Sequence, residues 1–271
     1  MTGNRSLRKR IQNAFSGVIF RAGLFFAVAV VASYAEVSMG HDVWLESLRR
    51  TAADPDALGR LLAEDLPSDA LQHVGDALLG VVELTGTNLT AVVDRLVDQL
   101  RERRWDGDEE LGDALEHVVD RRASTLRPLP VELDDVGEAL SQQAGSENYL
   151  DLQTGTVWFH TMSGFGMADD LDVDFSDETR WLFLLGEGSH EAYRDLQRFI
   201  ATVEDDDLAD RLSRAIEGRG AFGRFRSVLE RDAAEFTRWH RFDADARLGH
   251  ARSWLADHGY QARPVRRADL P

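Results

Sequence analysis

The chain has 271 residues, of which 43% are hydrophobic and 8% aromatic, which is enough apolar surface for two ordinary domains and excludes a generally disordered chain. Its 48 acidic and 31 basic residues give a net charge of -17, which disfavours general binding to nucleic acid or anionic lipid but permits a local basic patch. Cysteine is absent, which excludes disulfides, thiolate metal sites and cysteine nucleophiles and fits a cytoplasmic location.

Residues 1–38 form a distinct segment, because a basic start is followed by an uncharged run over residues 22–35. As a helix that run spans about 21 Å, less than a hydrocarbon core of about 30 Å, so a membrane-spanning helix is the less favoured interpretation. A signal peptide also fits, with Ser33-Tyr34-Ala35 as its small-residue site. We favour a true start at Met39 or a plain core helix, and expect no membrane contact unless residues 18–35 are a real membrane or signal segment.

Residues 39–123 repeat apolar side chains with a helical period, which predicts an all-α domain. Short loops make neighbouring helices antiparallel, so we expect a compact helical bundle or a helical-hairpin array. Asp54-Pro55 is typical of a helix start, with an N-cap followed by proline at the first helical position. Ser68 is expected to cap a further helix, and Asp106-Gly107-Asp108 starts the last one. Two prolines in residues 124–130 impose an extended backbone, so this stretch is predicted to be a linker.

Residues 131–260 predict a second domain of the α+β class with a small antiparallel sheet. Residues 149–152 and 156–159 flank a loop with Gly155 at its third position, as in a three-residue hairpin. The apolar run 181–185 predicts a buried strand, and amphipathic helices follow it. The remaining residues, from 261 onward, are expected to form a tail.

Four stretches of this second half resemble a bacterial protein family that is known only as uncharacterised. They are residues 130–133, 149–157, 189–200 and 218–226. The resemblance covers about residues 129–260 and is most specific over 218–226, where Gly223 departs from the family by replacing a residue that is more often long and basic. An acidic, arginine-rich chain with Lys9 as its single lysine is also typical of high-GC bacteria. The family has no established activity, so the resemblance implies no catalytic residue, substrate or cofactor.

A run of arginines between residues 211 and 226 is the candidate contact surface for an anion or a partner. Its members are Arg211, Arg214, Arg219, Arg224 and Arg226. Gly218 and Gly220 permit a tight turn before a new helix, where free N–H groups and neighbouring arginines can bind an anion. The cluster therefore predicts contact with an unknown protein partner or, more weakly, with nucleic acid. In the alternative interpretation the turn is structural and the arginines pair with nearby acids.

The acidic loop, which carries six carboxylates between residues 169 and 178, does not match a calcium site. Phe175 stands where the calcium loop needs glycine, and Trp181 where it needs the bidentate glutamate. An edge strand with one solvent-exposed face explains the alternating acidic residues better. Ser189, which follows a short glycine-containing stretch, is expected to cap a helix.

The histidines match no metal motif by spacing. His190-Glu191 has Arg194 where a zinc protease needs its second histidine. His250 and His258 are two helical turns apart, too far to share a metal without a third ligand from elsewhere. No catalytic residue, metal site or cofactor is predicted.

The sequence thus favours a non-catalytic, cytoplasmic interaction or regulatory module. The alternative is an enzyme or a phosphate-ligand-binding module that uses the loop at 163–177 and the helix starts near Ser189 and Ala221.

Overall fold

The computed structural model describes residues 42–85, 89–159 and 174–263. The predictions for residues 1–38 and for most of the acidic loop lie outside these ranges. Within them the chain forms ten α-helices and five β-strands, so the predicted mixed fold of helices and a small sheet is confirmed. No helix in the described ranges has both the length and the hydrophobicity to cross a membrane.

The first five helices form an all-α half, as predicted. They are α1 (Val43–Thr51), α2 (Pro55–Glu64), α3 (Leu71–Thr85), α4 (Thr90–Arg103) and α5 (Asp108–Val119). Asp54 caps α2 by accepting from the N–H groups of Asp56 and Ala57, both at 3.0 Å, and Pro55 takes the first helical position. Leucine and valine side chains from all five helices bury a first hydrophobic core.

The middle of the chain contains most of the strands. Its elements are β1 (Arg127–Pro130), α6 (Leu133–Ser141), β2 (Glu147–Asp151), β3 (Val157–Phe159) and β4 (Trp181–Leu185). The last three strands form an antiparallel sheet in the order β3-β2-β4, which confirms the predicted hairpin and a strand over 181–185. That strand is not buried throughout as predicted, since Phe183 and Leu185 are exposed. Gly155 has a φ of +75°, and a Cβ at this position would collide with the carbonyl oxygen of Pro130, so the hairpin loop requires glycine.

The remaining elements are α7 (Ser189–Ile200), α8 (Asp206–Ala215), α9 (Ala221–Leu229), α10 (Ala233–Asp257) and β5 (Tyr260–Arg263). Strand β5 pairs in parallel with β1. Part of the predicted linker 124–130 is therefore a strand, and so is the start of the predicted tail. Prolines are tolerated in β1 because a strand with a single partner leaves half of its N–H positions unpaired.

Helix α10 is 25 residues long and joins the other parts of the fold. It contacts α3 and α5 on one side, α6 and β5 on another, and α7 and α9 on a third. It contributes Leu248 and Leu255 to a second core under the sheet, and Phe242 to a third core formed with α7, α8 and α9. The residues from Asp42 onward group into one compact unit, so separate folding of the two halves on either side of 124–130 stays a prediction.

A buried carboxylate on α10 holds the start of α3. Asp245 is fully buried, and its Oδ1 accepts from the N–H groups of Gln72 at 2.7 Å and His73 at 3.1 Å. These are two of the donors that a helix start leaves without an internal partner. Ser68 precedes Leu71, the first residue of α3, by three positions, and the capping carboxylate comes from α10 instead.

Two arginines complete this buried network. Arg103 donates from Nη1 to Asp245 at 2.8 Å and from Nη2 to Asp108 at 2.6 Å, so both buried carboxylates are paired. Arg252 donates from Nε to the Oε1 atom of Gln72 at 2.9 Å, and Gln72 donates in turn to Asp108 at 2.9 Å. The network joins α3, α4, α5 and α10 through polar side chains that are buried.

We predict that Asp245→Ala lowers the free energy of unfolding by about 3–5 kcal/mol, because it leaves Arg103 and the α3 start buried without their partner. Urea denaturation followed by circular dichroism measures the loss. Asp257→Ala is the matched control, since Asp257 is exposed on the same helix and should cost less than about 0.5 kcal/mol. Equal effects of the two substitutions would contradict the role given to Asp245.

Candidate functional site

Helices α8 and α9 form a helical hairpin that presents the predicted arginines. The turn between them contains Gly218 at φ +69° and Gly220 at φ +78°, left-handed conformations that favour glycine. The inner faces of the hairpin bury Leu208, Leu212 and Phe225 in the third core. The predicted turn and helix start are therefore confirmed, and the arginines lie on the outer side.

An open groove of about 530 Å³ runs along this hairpin, and we call it the arginine groove. The described residues that line it are Arg211, Arg214, Ala215, Gly223, Arg224, Ser227, Val228 and Arg231. Four of the eight are arginines and none is acidic. In a protein with a net charge of -17, this is a local reversal of charge.

The structure brings together three of the five predicted arginines and adds one. Arg219 and Arg226 are not among the residues that line the arginine groove, whereas Arg231 is and was missed. Arg231 follows the end of α9 at Leu229 and is seven positions after Arg224. Continuing the helical spacing of α9 past residue 226 would have found it.

Arg224 has a structural role in the hairpin. Its Nε donates to the carbonyl of Ala215 at 2.9 Å and its Nη2 to that of Glu217 at 2.5 Å, while Nη1 donates to the carbonyl of Arg219. These carbonyls belong to the end of α8 and the turn, where helix geometry supplies no donor. Arg226 is also engaged, since its Nε lies 2.9 Å from the Oε1 atom of Glu230.

The remaining arginines of the groove are better placed for a ligand. Arg214 donates from Nε to the carbonyl of Asp210 at 3.0 Å. This hydrogen bond does not use its two Nη groups. Arg211 and Arg231 form no ion pair with any residue in the described ranges. The groove therefore offers three guanidinium groups at its surface and a fourth, Arg224, that shapes it.

A second polar cluster lies where α7, α10 and the turn before α5 meet, and we call it the His250 cluster. His250 places Nε2 2.9 Å from the Oδ2 atom of Asp195 and Nδ1 3.4 Å from that of Asp106. Arg198 Nη1 lies 2.9 Å from Asp106 Oδ2 and 3.1 Å from Asp195 Oδ1. Glu191, one turn earlier on α7, completes the cluster.

Charge in the His250 cluster is nearly balanced. Its three carboxylates face Arg198 and Arg194, the latter paired with Glu191. Burial opposes ionisation of Asp106, but the hydrogen bond and charge of Arg198 outweigh it and lower the pKa of that carboxylate. A proton on His250 would bring the cluster to neutrality.

Two glycines set the geometry of the His250 cluster. Gly107 has a φ of +81°, and a Cβ there would collide with the backbone of Gly249. A Cβ on Gly249 would collide in turn with the carbonyl oxygen of Asp106. The turn before α5 therefore lies directly on the backbone of α10, and this contact places Asp106 beside His250.

The sequence did not identify the His250 cluster, because its members come from three separate elements. His258, considered above beside His250, packs on Trp254 with ring centroids 4.2 Å apart. His250 instead lies beside Asp106 and Glu191, which come from other parts of the chain. The positions of Asp106 and Glu191 in the sequence do not indicate that they lie beside His250.

One further prediction about the site loops is wrong, and a second fails over the residues that the structure describes. Gly188 at φ +77° is the N-cap of α7, and Ser189 is the first helical residue with no capping hydrogen bond from its side chain. Residues 174–180 form turns rather than an edge strand, because Asp174 and Asp177 accept from backbone N–H groups two residues ahead at 2.9 and 3.0 Å. Such local bonds compete with strand pairing. Residues 160–173 of this loop lie outside the described ranges.

Removing Arg224 should destabilise the protein more than removing a neighbour in the same groove. We expect Arg224→Ala to cost about 1–2 kcal/mol of unfolding free energy, because three carbonyls at the end of α8 lose their charged donor. Arg211→Ala should cost less than about 0.5 kcal/mol. Thermal and urea unfolding measure the loss of unfolding free energy in each variant. Similar losses in the two would show that Arg224 is an ordinary surface residue.

His250 should make stability depend on pH. Burial disfavours the charged imidazole, but the hydrogen bond to Asp195 and the charges of Asp195 and Asp106 outweigh burial and the repulsion from Arg198, and they raise the pKa of His250. The folded protein then holds a proton that the unfolded chain has released. This stabilisation is complete below pH about 6.5 and is lost as the pH rises through the raised pKa.

We therefore predict that unfolding free energy falls with rising pH above about 6.5 more steeply in the wild type than in His250→Gln. Urea denaturation across pH 5.5 to 9, roughly the range in which histidine titrates, gives the difference curve. His258→Gln should keep the wild-type slope. Parallel curves for wild type and His250→Gln would show that the imidazole carries no shifted proton.

No protein-family model, curated protein or solved structure matches the chain in the comparisons made. The resemblance of residues 129–260 to an uncharacterised bacterial family thus stays a prediction. What the described residues provide is two candidate sites, the arginine groove and the His250 cluster.

Proposed function

We propose that the protein is a non-catalytic interaction module whose arginine groove binds an acidic segment of a partner protein. The observation that supports this is the lining of the groove, in which four of eight residues are arginines and none is acidic. Arg211 and Arg231 form no ion pair within the described part of the chain, so their charges face the groove without a competing carboxylate. A cytoplasmic location, which fits the absence of cysteine, belongs to the same proposal.

The chemistry of the groove suits carboxylate side chains. A guanidinium group presents a planar fork of N–H donors that can bind both oxygens of one carboxylate. Ala215, Gly223 and Val228 provide an uncharged floor between the arginines, and a side chain added at Gly223 would meet open space. An acidic segment with small or apolar residues between its carboxylates matches both features.

The charge of the rest of the protein favours a short ligand. A long polyanion such as nucleic acid would extend past the groove and meet a surface that is acidic overall, with a net charge of -17 for the chain. A short acidic segment can place its carboxylates on the arginines while its ends remain in solvent. Since the attraction is largely electrostatic, added salt should weaken the binding.

A phosphate-bearing small ligand is the second candidate, because the same guanidinium groups bind phosphate oxygens as well as carboxylates. This candidate is the ligand-binding alternative that the sequence suggests, but the ligand binds at a different place on the protein. We place this ligand in the arginine groove, whose Arg224 lies beside Gly220 and so next to the helix start at Ala221. The loop at 163–177 and the helix start near Ser189 are not part of this candidate.

The proposal can be tested with a fluorescein-labelled peptide of alternating glutamate and leucine, measured by fluorescence anisotropy. We predict that changing Arg211, Arg214 and Arg231 together to alanine weakens binding by about tenfold or more, as expected when charged contacts are removed from a binding surface. The matched control changes Arg49, Arg60 and Arg226 to alanine, which alters the net charge equally and leaves the groove intact. The control should bind as the wild type does.

Three results would contradict the proposal. The first is equal binding by the groove variant and the control. The second is tighter binding of a labelled single-stranded oligonucleotide than of the peptide at the same salt concentration. The third is displacement of the peptide by millimolar inorganic phosphate, which would favour the phosphate-ligand candidate.

A further inference from the structure

We propose that Asp106, Glu191 and His250 form a binding site for a divalent transition-metal ion such as Zn²⁺. Each residue offers one ligand atom, and the three atoms lie within 4.8 Å of one another. The Nδ1 atom of His250 and the Oδ2 atom of Asp106 are 3.4 Å apart. Two ligand atoms at about 2.1 Å from one tetrahedral ion are about 3.4 Å apart, so this pair already has the required separation.

Asp195 supplies a second observation that is independent of the three ligand atoms. Its Oδ2 atom lies 2.9 Å from the other ring nitrogen of His250, and both side chains are largely buried. Metal-binding histidines almost always give their second N–H to a carboxylate or carbonyl, which fixes the ring and strengthens the ligand nitrogen. Asp195 is thus a positioning residue that directs Nδ1 of His250 toward Asp106.

The backbone around the site restricts how far the ligands can move apart. Gly107 and Gly249 are in direct contact, which holds the turn carrying Asp106 against α10, and α7 brings Glu191 from a third direction. An ion at this point would join three elements that are distant in the sequence. Its ligands therefore need side-chain adjustments rather than a rearrangement of the fold.

The ligand set indicates which ions would bind. One imidazole nitrogen with two carboxylate oxygens suits Zn²⁺, Mn²⁺ or Co²⁺, whereas Mg²⁺ and Ca²⁺ prefer oxygen ligands alone. Three protein ligands leave a fourth position for water.

Two arginines already neutralise part of the negative charge that would hold the ion. Arg198 lies against Asp106, and Arg194 is paired with Glu191. A bound ion would neutralise part of the carboxylate charge that these two arginines now neutralise. Arg198 would keep its contact with Asp195 at 3.1 Å. We therefore expect moderate rather than very tight affinity.

Isothermal titration calorimetry of the full chain with Zn²⁺ tests the proposal, with Mg²⁺ as the comparison ion. We expect a single site for Zn²⁺ that His250→Ala and Glu191→Gln each weaken by tenfold or more, while Mg²⁺ gives no saturable heat at the same concentrations. His258→Ala is the matched control, because it removes a histidine from the same helix without touching the site. Asp195→Asn should weaken Zn²⁺ binding by about 10–100-fold, the range for a group that orients a metal-binding histidine.

Circular dichroism of each variant shows whether it folds. Should His250→Ala unfold, Glu191→Gln decides, because Glu191 is at the edge of the cluster and its removal leaves Asp195 and Arg198 paired. In nuclear magnetic resonance spectra, added Zn²⁺ should shift the ring signals of His250 before those of His258. A wild type that does not bind Zn²⁺, or binding that His250→Ala and Glu191→Gln retain at the level of His258→Ala, would overturn the proposal.

Discussion

The fold depends on the need to satisfy one buried negative charge. A carboxylate that has lost all contact with water is strongly destabilising unless hydrogen bonds and an opposite charge replace its hydration. Asp245 obtains both from parts of the chain far from itself, the first turn of α3 and the side chain of Arg103. The five N-terminal helices and the long C-terminal helix are thus coupled by a contact that neither can replace with solvent.

This coupling explains how α10 can belong to two hydrophobic cores and also hold the N-terminal helices through polar contacts. Its polar face is fixed by Asp245 and Arg252, which leaves its remaining faces for the sheet and for the hairpin of α8 and α9. The hairpin rests on a group of aromatic rings in edge-to-face contact, with Phe199 and Phe242 5.3 Å apart and Phe225 and Trp239 4.9 Å apart. The arginine groove is therefore supported by a rigid aromatic layer rather than by a flexible loop.

Local interactions determined which parts of the structure could be predicted from the sequence. The cap at Asp54, the hairpin at Gly155 and the turn at Gly218 and Gly220 each depend on residues within a few positions of one another, and each was predicted. The contact between Gln72 and Asp245 spans 173 positions, and that between Asp195 and His250 spans 55. Neither leaves a periodic signal, because each depends on how two helices cross.

The two candidate sites differ in the same way, since one depends on local spacing and the other on contacts between distant parts of the chain. Three of the four arginines in the groove were named from the sequence because they lie on consecutive turns of a helical hairpin. Arg231 was missed, and Arg219 and Arg226 do not line the groove. The His250 cluster was not found because its residues come from three separate elements, α7, α10 and the turn before α5. The pairing of β1 with β5 was missed for a similar reason, since proline-containing β1 looked like a linker and its partner lies more than a hundred residues away.

The pairing of β1 with β5 also determines the outline of the C-terminal half. Arg127 is the register partner of Tyr260, and Pro130 of Arg263, so the first and last strands of this half lie side by side. Residues 127 and 263, the two ends of this half, are therefore about the length of one strand apart. Such closeness of ends is the arrangement that allows a segment to be inserted into another protein or to be circularly permuted.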